Sequence, residues 1–456
     1  MITLCQGQNK QLLYNVNSLP QTLMVNPGAN IEFDGHIGLP FLSGISLAVG
    51  SSGVNVFDVF EDSPRDINER ITLLMGRLTH KDYFTAQQQL EILSLGWRLN
   101  ENNYLSAGLY QELDAFSYFP KDPAILAREG NREYMGVPFD FSHVSFTGEF
   151  LAVYHIGLNR KLNRNLTVGT RLKFYSGIFN VESIDNTGTF LTIETPAGPN
   201  YYRHFADDLN LIVNTSGFAS LRDNNNTVDE AAADLLGRVF FGGNIGLGID
   251  AGATYKLRND IEISGSIQDL GMMWQREDVE NYTYRGSYQT DGIEPLFPEI
   301  INGQTFRYWD EWEDDIDRNL VDETLYEPYV TLRPFKLNGA IEFGFGETIF
   351  PCDYRVEGRK TNHSRLGLHL FGIKRPKDLK MALSTYYDRQ LNDNLRMKVS
   401  YTIDDYSFTN VGFLLSTKFK GFNFYIAADN LIGYFNLAKS YYQSVQFGFQ
   451  FVINKS

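Results

Sequence analysis

A chain of 456 residues that is 43% hydrophobic and 21% charged carries too much apolar surface to be intrinsically disordered. Its formal net charge of −15 argues against a nucleic-acid partner, because no basic stripe is present. Two distant cysteines, Cys5 and Cys352, exclude a disulfide framework and a cysteine metal cluster. No apolar run reaches the length of a transmembrane helix, and the 34 Phe, 26 Tyr and 40 Gly residues favour β-structure with tight turns.

The N-terminal stretch MITLCQGQNKQ combines a short apolar stub with a small residue and a polar start. This order is typical of the end of a secretory signal, although the basic start and most of the apolar region are missing. We therefore predict the remnant of an export signal over residues 1–7. An ordinary cytoplasmic N-terminus is the alternative.

Alternation of apolar and polar residues with a period of two recurs along the chain and predicts β-strands. In NIGLGIDAGATYKL, one face carries the apolar residues from Ile245 to Leu257, and the other carries small and charged residues such as Asp250. The segments EILSLGWRL, FTGEFLAVYHIGL and KLNGAIEFGF repeat the pattern. These strands exceed the common length of about 5–6 residues and are long enough to span a bilayer.

Short polar connections alternate with long ones along most of the chain, as in transmembrane barrels with short periplasmic turns and long extracellular loops. We predict an all-β fold: a single transmembrane antiparallel β-barrel of about 14 strands (roughly 12 to 16). The connection Glu347–His363 is the weakest point of this count, because it is too long for a periplasmic turn. The predicted strand starts are Gly44, Leu90, Asn103, Ser142, Asn165, Phe240, Asp260, Tyr329, Ser364, Leu379, Asn394, Phe408, Phe422 and Tyr442.

Two of the long loops are predicted to carry short helices. In SPRDINERITLLMGRL, Ser63 is the predicted N-cap and Pro64 the first helical residue. In TVDEAAADLLGR, Thr227 and Glu230 form a predicted capping box. Both helices would cover the mouth of the barrel or gate it.

Inside a bilayer every backbone polar group must be paired within the protein, so a chain without apolar helices spans only as a closed barrel. The apolar faces then contact lipid and the polar faces line the lumen, whereas in a soluble β-sandwich the polar faces would be solvated. Strand parity predicts these lumen-lining residues on a solute path: Glu149, Asp250, Glu342, Arg365 and His369. Aromatic residues near strand ends are predicted to form girdles at the membrane interfaces: Trp97, Tyr104, Tyr154, Tyr255, Trp274 and Tyr425.

The chain ends in SVQFGFQFVINKS, an alternating strand with almost nothing after it. Gln446, Gly448, Phe451 and Ile453 fit the pattern of the C-terminal signal by which outer-membrane barrels engage their assembly machinery. This predicts an export route that agrees with the N-terminal remnant.

Four segments resemble a known family: LPQTLMVNPGANIEF, IGLPFLSGISL, GIDAGATYKLRNDIEISGSIQDLGMMW and FNFYIAADNLIGYF. They resemble uncharacterised outer-membrane barrels from Bacteroidota, which are similar in turn to the long-chain fatty-acid transporter class and to barrel subunits of type IX secretion. The resemblance implies a barrel over residues 44–456 and an N-terminal hatch, or plug, over residues 8–43. The transporter class often has Asn-Pro-Ala near its N-terminus, where this chain has Asn26-Pro27-Gly28.

Two functions stay open for such a barrel in the outer membrane of a Gram-negative bacterium. One is a transport channel for small or hydrophobic solutes. The other is a non-enzymatic subunit of an outer-membrane secretion or assembly complex. For this function the acidic loop YWDEWEDDIDRNLVDE (308–323) is a docking surface; the alternatives are a solvated loop or one associated with lipopolysaccharide or calcium. Expected partners are outer-membrane lipids and the barrel-assembly machinery, and for the second function other outer-membrane proteins or surface lipoproteins.

An enzyme is disfavoured, because the chain has neither a His-Glu-x-x-His motif nor a Gly-x-Ser-x-Gly elbow. The glycines of GGNIGLG recur at strand spacing and do not form a phosphate-binding loop. We therefore expect no cofactor and no resident metal ion.

Overall fold

Fourteen antiparallel strands close into a barrel in the computed structural model of the chain, which confirms the predicted fold class. The structure describes residues 10–454 except 63, 197–200, 221–227, 291–299, 302–303, 306–314, 316–317, 350–360, 393, 405, 407 and 409. The barrel closes because the first wall strand pairs on one side with the last and on the other with the second. No strand edge of the wall is left open along this seam.

Numbered in chain order, the strands of the described residues are β1 Gly35–Gly38, β2 Ile45–Ser51, β3 Tyr83–Arg98, β4 Asn103–Tyr118, β5 Phe139–Asp140, β6 Phe146–Lys161, β7 Leu166–Ser183, β8 Thr187–Glu194, β9 Tyr202–Ser216, β10 Asn244–Lys256, β11 Ile261–Gln275, β12 Val279–Thr290, β13 Ile300–Ile301, β14 Gln304–Thr305, β15 Leu320–Leu325, β16 Tyr329–Leu332, β17 Lys336–Ile349, β18 Thr361–Lys374, β19 Leu379–Asn392, β20 Leu395–Ile403, β21 Asn410–Phe419, β22 Phe422–Asp429 and β23 Tyr442–Ile453. The first wall strand consists of β1 and β2, and the eighth consists of β16 and β17. The short connections predicted from the sequence, such as 99–102 and 257–260, all lie at one end, which we call the short-turn end. The opposite end is the long-loop end.

The strands form where the sequence alternates, because one face of each strand is exposed on the outside of the barrel and the other is enclosed. On β10, the side chains of Ile245, Leu247 and Ile249 are 41–49% exposed, whereas Asp250, which follows Ile249, is fully buried. β10 pairs with β7 and β11 on its two sides. Its apolar residues therefore face outward, and its polar residues face the lumen.

A second sheet rises from the wall at the long-loop end. The end of β7 pairs with β9, and β9 also pairs with β8 and β12. On the far sides of these two strands, β12 pairs with β15 and β8 pairs with β5. We call β5, β8, β9, β12 and β15 the outer sheet. Its small apolar core includes Ala206, Leu209 and Leu320.

The helices are short and lie in the plug and the loops: α1 Thr22–Val25, α2 Val56–Phe60, α3 Ile67–Arg77, α4 Lys121–Glu129, α5 Val228–Val239 and α6 Leu431–Tyr434, with 3-10 turns at Gln11–Leu13, Arg132–Tyr134, Phe141–His143 and Leu437–Lys439. Within the described part of the chain, none of them is both long and apolar enough to cross a membrane. The prediction that Pro64 opens α3 is wrong, because the Asp66 carboxylate caps the helix by accepting the Asn68 N–H at 2.7 Å. The second predicted helix is α5; Ser63 and Thr227 lie outside the described residues.

The aromatic girdle prediction requires side chains on the outer face, which holds for two of the predicted residues and is wrong for two others. Trp97 and Tyr255 are 46% and 44% exposed on the outer face. Tyr104 and Tyr425 are 1% and 3% exposed, because their parity turns them into the lumen. There the Tyr104 hydroxyl lies 2.6 Å from Nδ1 of His36.

Residues 10–34 precede the first wall strand and lie inside the barrel; we call them the plug. The plug side chains of Leu12, Tyr14 and Val16 are at most 1% exposed. Of the N-terminal hatch predicted over residues 8–43, residues 35–38 form wall strand β1, and residues 1–9, including the predicted export-signal remnant, lie outside the described part of the chain. The chain passes from the lumen into the wall at Gly35.

Candidate functional site: the plugged lumen

The five residues predicted to line the lumen all lie on the inner face of the wall. Asp250 and Glu149 belong to a group of charged residues between the plug and the long-loop end. Glu342 and Arg365 form a pair at 3.6 Å near the short-turn end. His369 lies at the height of the plug, where its ring stacks on Tyr14 with the centroids 4.4 Å apart. Their role on a solute path stays a prediction.

Ten charged side chains lie close together, and we call them the upper ion cluster: eight are joined in one network of ion pairs, and Asp114 and Arg375 form a separate pair. Five are acidic and five are basic, and each is at most 9% exposed. Lys173 Nζ lies 3.0 Å from Asp250 and 2.5 Å from Asp269, and Arg171 Nε donates to Asp250 at 2.8 Å. The members are Glu112, Asp114, Glu149, Arg171, Lys173, Asp250, Asp269, Arg333, Lys336 and Arg375.

The upper ion cluster crosses the lumen from one wall to the other. Lys336 Nζ on β17 lies 3.0 Å from Glu112 on β4, and these are the eighth and third wall strands. Arg333 contacts Glu149 on β6, and Arg375, after β18, lies 2.6 Å from Asp114 on β4. Because buried charges are stable only when paired, these contacts stabilise the arrangement of the wall strands above the plug.

The sequence contained a signal for only part of this cluster. Arg171 and Lys173 alternate with the exposed Leu172 and Phe174, so strand parity predicts their inward position. Asp269 has no such signal, because it lies at a β-bulge opposite Asp250 with a φ of 58°. Arg333 has none either, because it lies in the break between β16 and β17.

The lower part of the plug, at Asn26-Pro27-Gly28, is hydrogen-bonded to the wall and packs closely against it. The carbonyl oxygens of Pro27 and Ala29 both accept hydrogen bonds from Asn159 Nδ2, at 2.8 and 2.9 Å. A Cβ atom added to Gly28 would lie 2.3 Å from the Gly252 carbonyl oxygen, and one added to Gly169 would lie 2.0 Å from the Pro27 carbonyl oxygen. An alanine therefore does not fit at Gly28, which explains the departure from the Asn-Pro-Ala pattern.

The upper part of the plug packs against the opposite wall through apolar side chains. Leu12, Leu13 and Val16 pack with wall residues such as Leu414. Burial of each such side chain stabilises the packed state by about 1.5–3 kcal/mol. These contacts are non-covalent, and their strength depends on how closely the plug fits the wall.

Polar contacts fix the height of the plug. Lys398 Nζ donates to the Tyr14 carbonyl oxygen at 2.6 Å, and the Ser384 hydroxyl donates to Gln11 Oε1 at 2.6 Å. At the short-turn end Arg98 pairs with Asp34 at 2.6 Å. The plug is therefore attached to the wall at both of its ends.

The C-terminal strand completes the wall beside the plug. Gln446 is 1% exposed and faces inward, whereas Phe451 and Ile453 are 36% and 50% exposed on the outer face. A Cβ atom at Gly448 would lie 2.2 Å from the Ser43 carbonyl oxygen, so only glycine fits there. The proposed role of these four residues in barrel assembly stays a prediction.

The profile of a protein family described as "Family of unknown function (DUF5723)" matches residues 27–429. No curated protein matches the chain in sequence.

Among solved structures, the toluene transporter TodX of Pseudomonas putida is 10% identical, with a TM-score of 0.40 and coverage of 97% of this chain and 95% of that one. The toluene transporter TbuX of Ralstonia pickettii is 10% identical, with a TM-score of 0.41 and coverage of 95% and 94%. A FadL homologue of Pseudomonas aeruginosa is 10% identical, with a TM-score of 0.41 and coverage of 97% and 95%.

Proposed function

The chain belongs to the DUF5723 family, a family of unknown function, and we propose that it is a gated transport barrel in the outer membrane of a Gram-negative bacterium. In this proposal the plug is the gate, and the lumen admits a small solute once the plug has moved. The long loops and the outer sheet face the cell exterior, and the short turns face the periplasm, as in other bacterial barrels.

One observation carries the proposal: a plug held by non-covalent contacts lies in a lumen whose wall is lined with charged side chains. A barrel with a purely structural role does not require a separate segment inside its lumen, whereas a gated channel does, and here that segment makes both polar and apolar contacts with the wall. The charged lining favours a small polar solute over a hydrocarbon, because an apolar molecule passing the upper ion cluster would separate buried ion pairs.

A matched pair of glycine variants tests the gate. Gly169→Ala places a methyl group 2.0 Å from the Pro27 carbonyl oxygen and should displace the lower plug. Gly339→Ala, on β17, adds a methyl group that meets no atom within 4 Å and serves as the control. In planar bilayers or swelling liposomes we expect a closed wild type, a closed G339A and a conducting G169A.

The same preparations must be checked for plug release, which limited proteolysis of residues 10–34 reports. A G169A barrel whose plug has become protease-sensitive but which still passes no ions or small solutes would contradict the transport proposal.

The alternative is a non-enzymatic subunit of an outer-membrane secretion or assembly complex. The outer sheet favours it, because five strands outside the wall offer an extended surface that a simple channel does not require. Most of the acidic loop 308–323 lies outside the described residues. Extraction in a mild detergent and affinity purification test this function, since a barrel that purifies without a stoichiometric partner would contradict it.

A further inference from the structure

A cavity of about 80 Å³ opens between the plug and the wall at the short-turn end. On the plug it is lined by Asn17, Asn30 and Glu32, and on the wall by β10, β11, β17 and β18, including Glu342 and Arg365. We call it the lower pocket. Its charged residues differ in how completely they are paired, and that difference indicates what it can bind.

Most charges around the lower pocket are already satisfied. Arg258 donates twice to Asp260, both at 3.1 Å, and Glu262 accepts a hydrogen bond from Asn30 at 2.9 Å. Nearby, Arg396 forms a two-pronged pair with Asp388 at 2.8 and 2.7 Å. These groups have little capacity left for a ligand.

Arg365 and Glu342 are paired much less completely. Within the described part of the chain, the Arg365 guanidinium makes no hydrogen bond, and its nearest carboxylates, Glu342 and Glu32, lie 3.6 and 3.7 Å away. Glu342 is 3% exposed; its Oε1 accepts from the Tyr386 hydroxyl at 2.7 Å, but its buried Oε2 has no hydrogen-bond partner among the described residues. A buried carboxylate oxygen and a guanidinium without hydrogen bonds are costly unless something completes them.

The ligand must supply an acceptor pair and a donor group at the same time. A guanidinium presents a fork of N–H donors that matches a carboxylate, and a carboxylate oxygen matches an ammonium group. A simple anion would be repelled by Glu342 and Glu32, and a simple cation by Arg365. We propose that the lower pocket binds a small zwitterion, such as an amino acid or a dipeptide, with its carboxylate on Arg365 and its ammonium group on Glu342 and Glu32.

The role of the lower pocket in transport rests on the proposed function, since a solute released past the plug would meet this pocket before it reached the periplasm. Binding itself is measured without transport. Isothermal titration of the full chain in detergent, with glycine and glycylglycine as probes, should show saturable binding. Acetate and methylammonium, which carry one charge each, should bind roughly tenfold more weakly or not at all.

Three variants test the assignment. Arg365→Gln and Glu342→Gln should each weaken zwitterion binding roughly tenfold or more, and Arg365→Lys, which keeps the charge and loses the fork, should fall between wild type and R365Q. Arg389→Gln is the matched control, because Arg389 is exposed on the outer face of β19, near Arg365 in height, and it should bind like wild type. A heat-induced gel shift establishes that each variant is folded.

The outcomes separate the two proposals. Absence of saturable binding of both zwitterions to wild type, or equal binding by folded R365Q and wild type, would overturn the lower pocket as a zwitterion site. Binding that follows this order of variants supports it, even if the G169A barrel passes no solute. That combination would overturn the transport proposal alone.

Discussion

The outer face and the lumen face of the wall are built from the same strands but follow different rules. Ile249 and Asp250 are neighbours on β10: Ile249 is 41% exposed on the outer face, and Asp250 is fully buried among Arg171, Lys173 and Asp269. In the proposed outer-membrane setting, the outer face needs only apolar side chains of any shape, because lipid adapts to them. The lumen face needs particular partners at particular distances, because each buried charge must be compensated.

The outer face and the lumen face therefore differ in the substitutions that they tolerate. On the outer face, one apolar residue replaces another at little cost, and only a charge is expensive. In the lumen, even an isosteric change that removes a charge leaves its partners unpaired. Four predictions test this comparison, in order of decreasing expected effect.

Asp250→Asn should be the most damaging of these changes, although it preserves size and shape. It removes the negative charge that compensates Arg171 and Lys173, and we expect a loss of about 3–5 kcal/mol in the free energy of unfolding. Guanidinium unfolding of the barrel in lipid vesicles measures this loss. Asp207→Asn, at an exposed position of the outer sheet, is the control and should be neutral. Equal stability of D250N and wild type would contradict a compensated ion cluster.

Ile249→Arg tests the neighbouring outer-face position. Near the middle of β10, an arginine facing lipid should cost about 2–4 kcal/mol in vesicles. Ile249→Leu, the control, keeps an apolar side chain of the same size and should unfold like wild type. The same unfolding assay applies. An unchanged stability of I249R in vesicles would be inconsistent with a lipid-facing outer wall.

Lys398→Met tests the attachment of the upper plug. The ammonium group of Lys398, 1% exposed, donates to the Tyr14 carbonyl oxygen at 2.6 Å and lies 3.8 Å above the Tyr386 ring. Methionine keeps the volume but leaves the carbonyl oxygen without this donor, at a cost of about 1–3 kcal/mol. Hydrogen exchange over residues 11–25 should become faster. The control is Lys420→Met, in the exposed turn between β21 and β22, which should leave the exchange rate unchanged. Equally faster exchange in both variants would mean that the contact between Lys398 and Tyr14 is not the cause.

A pH effect at the long-loop end should be the smallest. The rings of His80 and His143 stack with their centroids 4.7 Å apart, beside Lys81, Lys377, Asp122 and Asp140. Partial burial, then His143 and the two lysines, lower the pKa of His80, while Asp122 opposes the shift.

The sign of this effect follows from the direction of the shift. Because the pKa of His80 is lower in the folded protein, the separated loops bind more protons, and the contact should weaken as the pH falls below about 6.5. Protease cleavage of loop residues 78–82 should therefore increase at acidic pH. His80→Gln should remove this dependence, and an identical pH profile in wild type and variant would rule out His80 as its source.

The strand pattern made the wall predictable. Alternation placed Ile249 outside and Asp250 inside, and the alternation of short and long connections led to the observed number of strands. The girdle prediction used position near a strand end and not parity, and it wrongly assigned Tyr104 and Tyr425 to the outer face. Adjacent residues on a strand face opposite sides of the sheet, so nearness to a strand end does not determine which side an aromatic side chain faces.

The contacts across the lumen were not predictable in this way. Asp269 faces inward because of a bulge, Arg333 because of a strand break, and Lys336 meets Glu112 because the barrel closes with the third strand opposite the eighth. The contact between Gly28 and Gly252 likewise joins residues more than two hundred positions apart in the chain.

By itself, the sequence determined which faces are apolar, how many strands cross and which residues can line a lumen, because a period of two is a local property of the chain. Only the tertiary structure decided which charges pair, that residues 10–34 fill the lumen, and that Arg365 and Glu342 share a pocket with unused hydrogen-bonding capacity. These features depend on how the strands are arranged around the barrel, and distances across a closed sheet are set by its curvature and register, which no short stretch of sequence records.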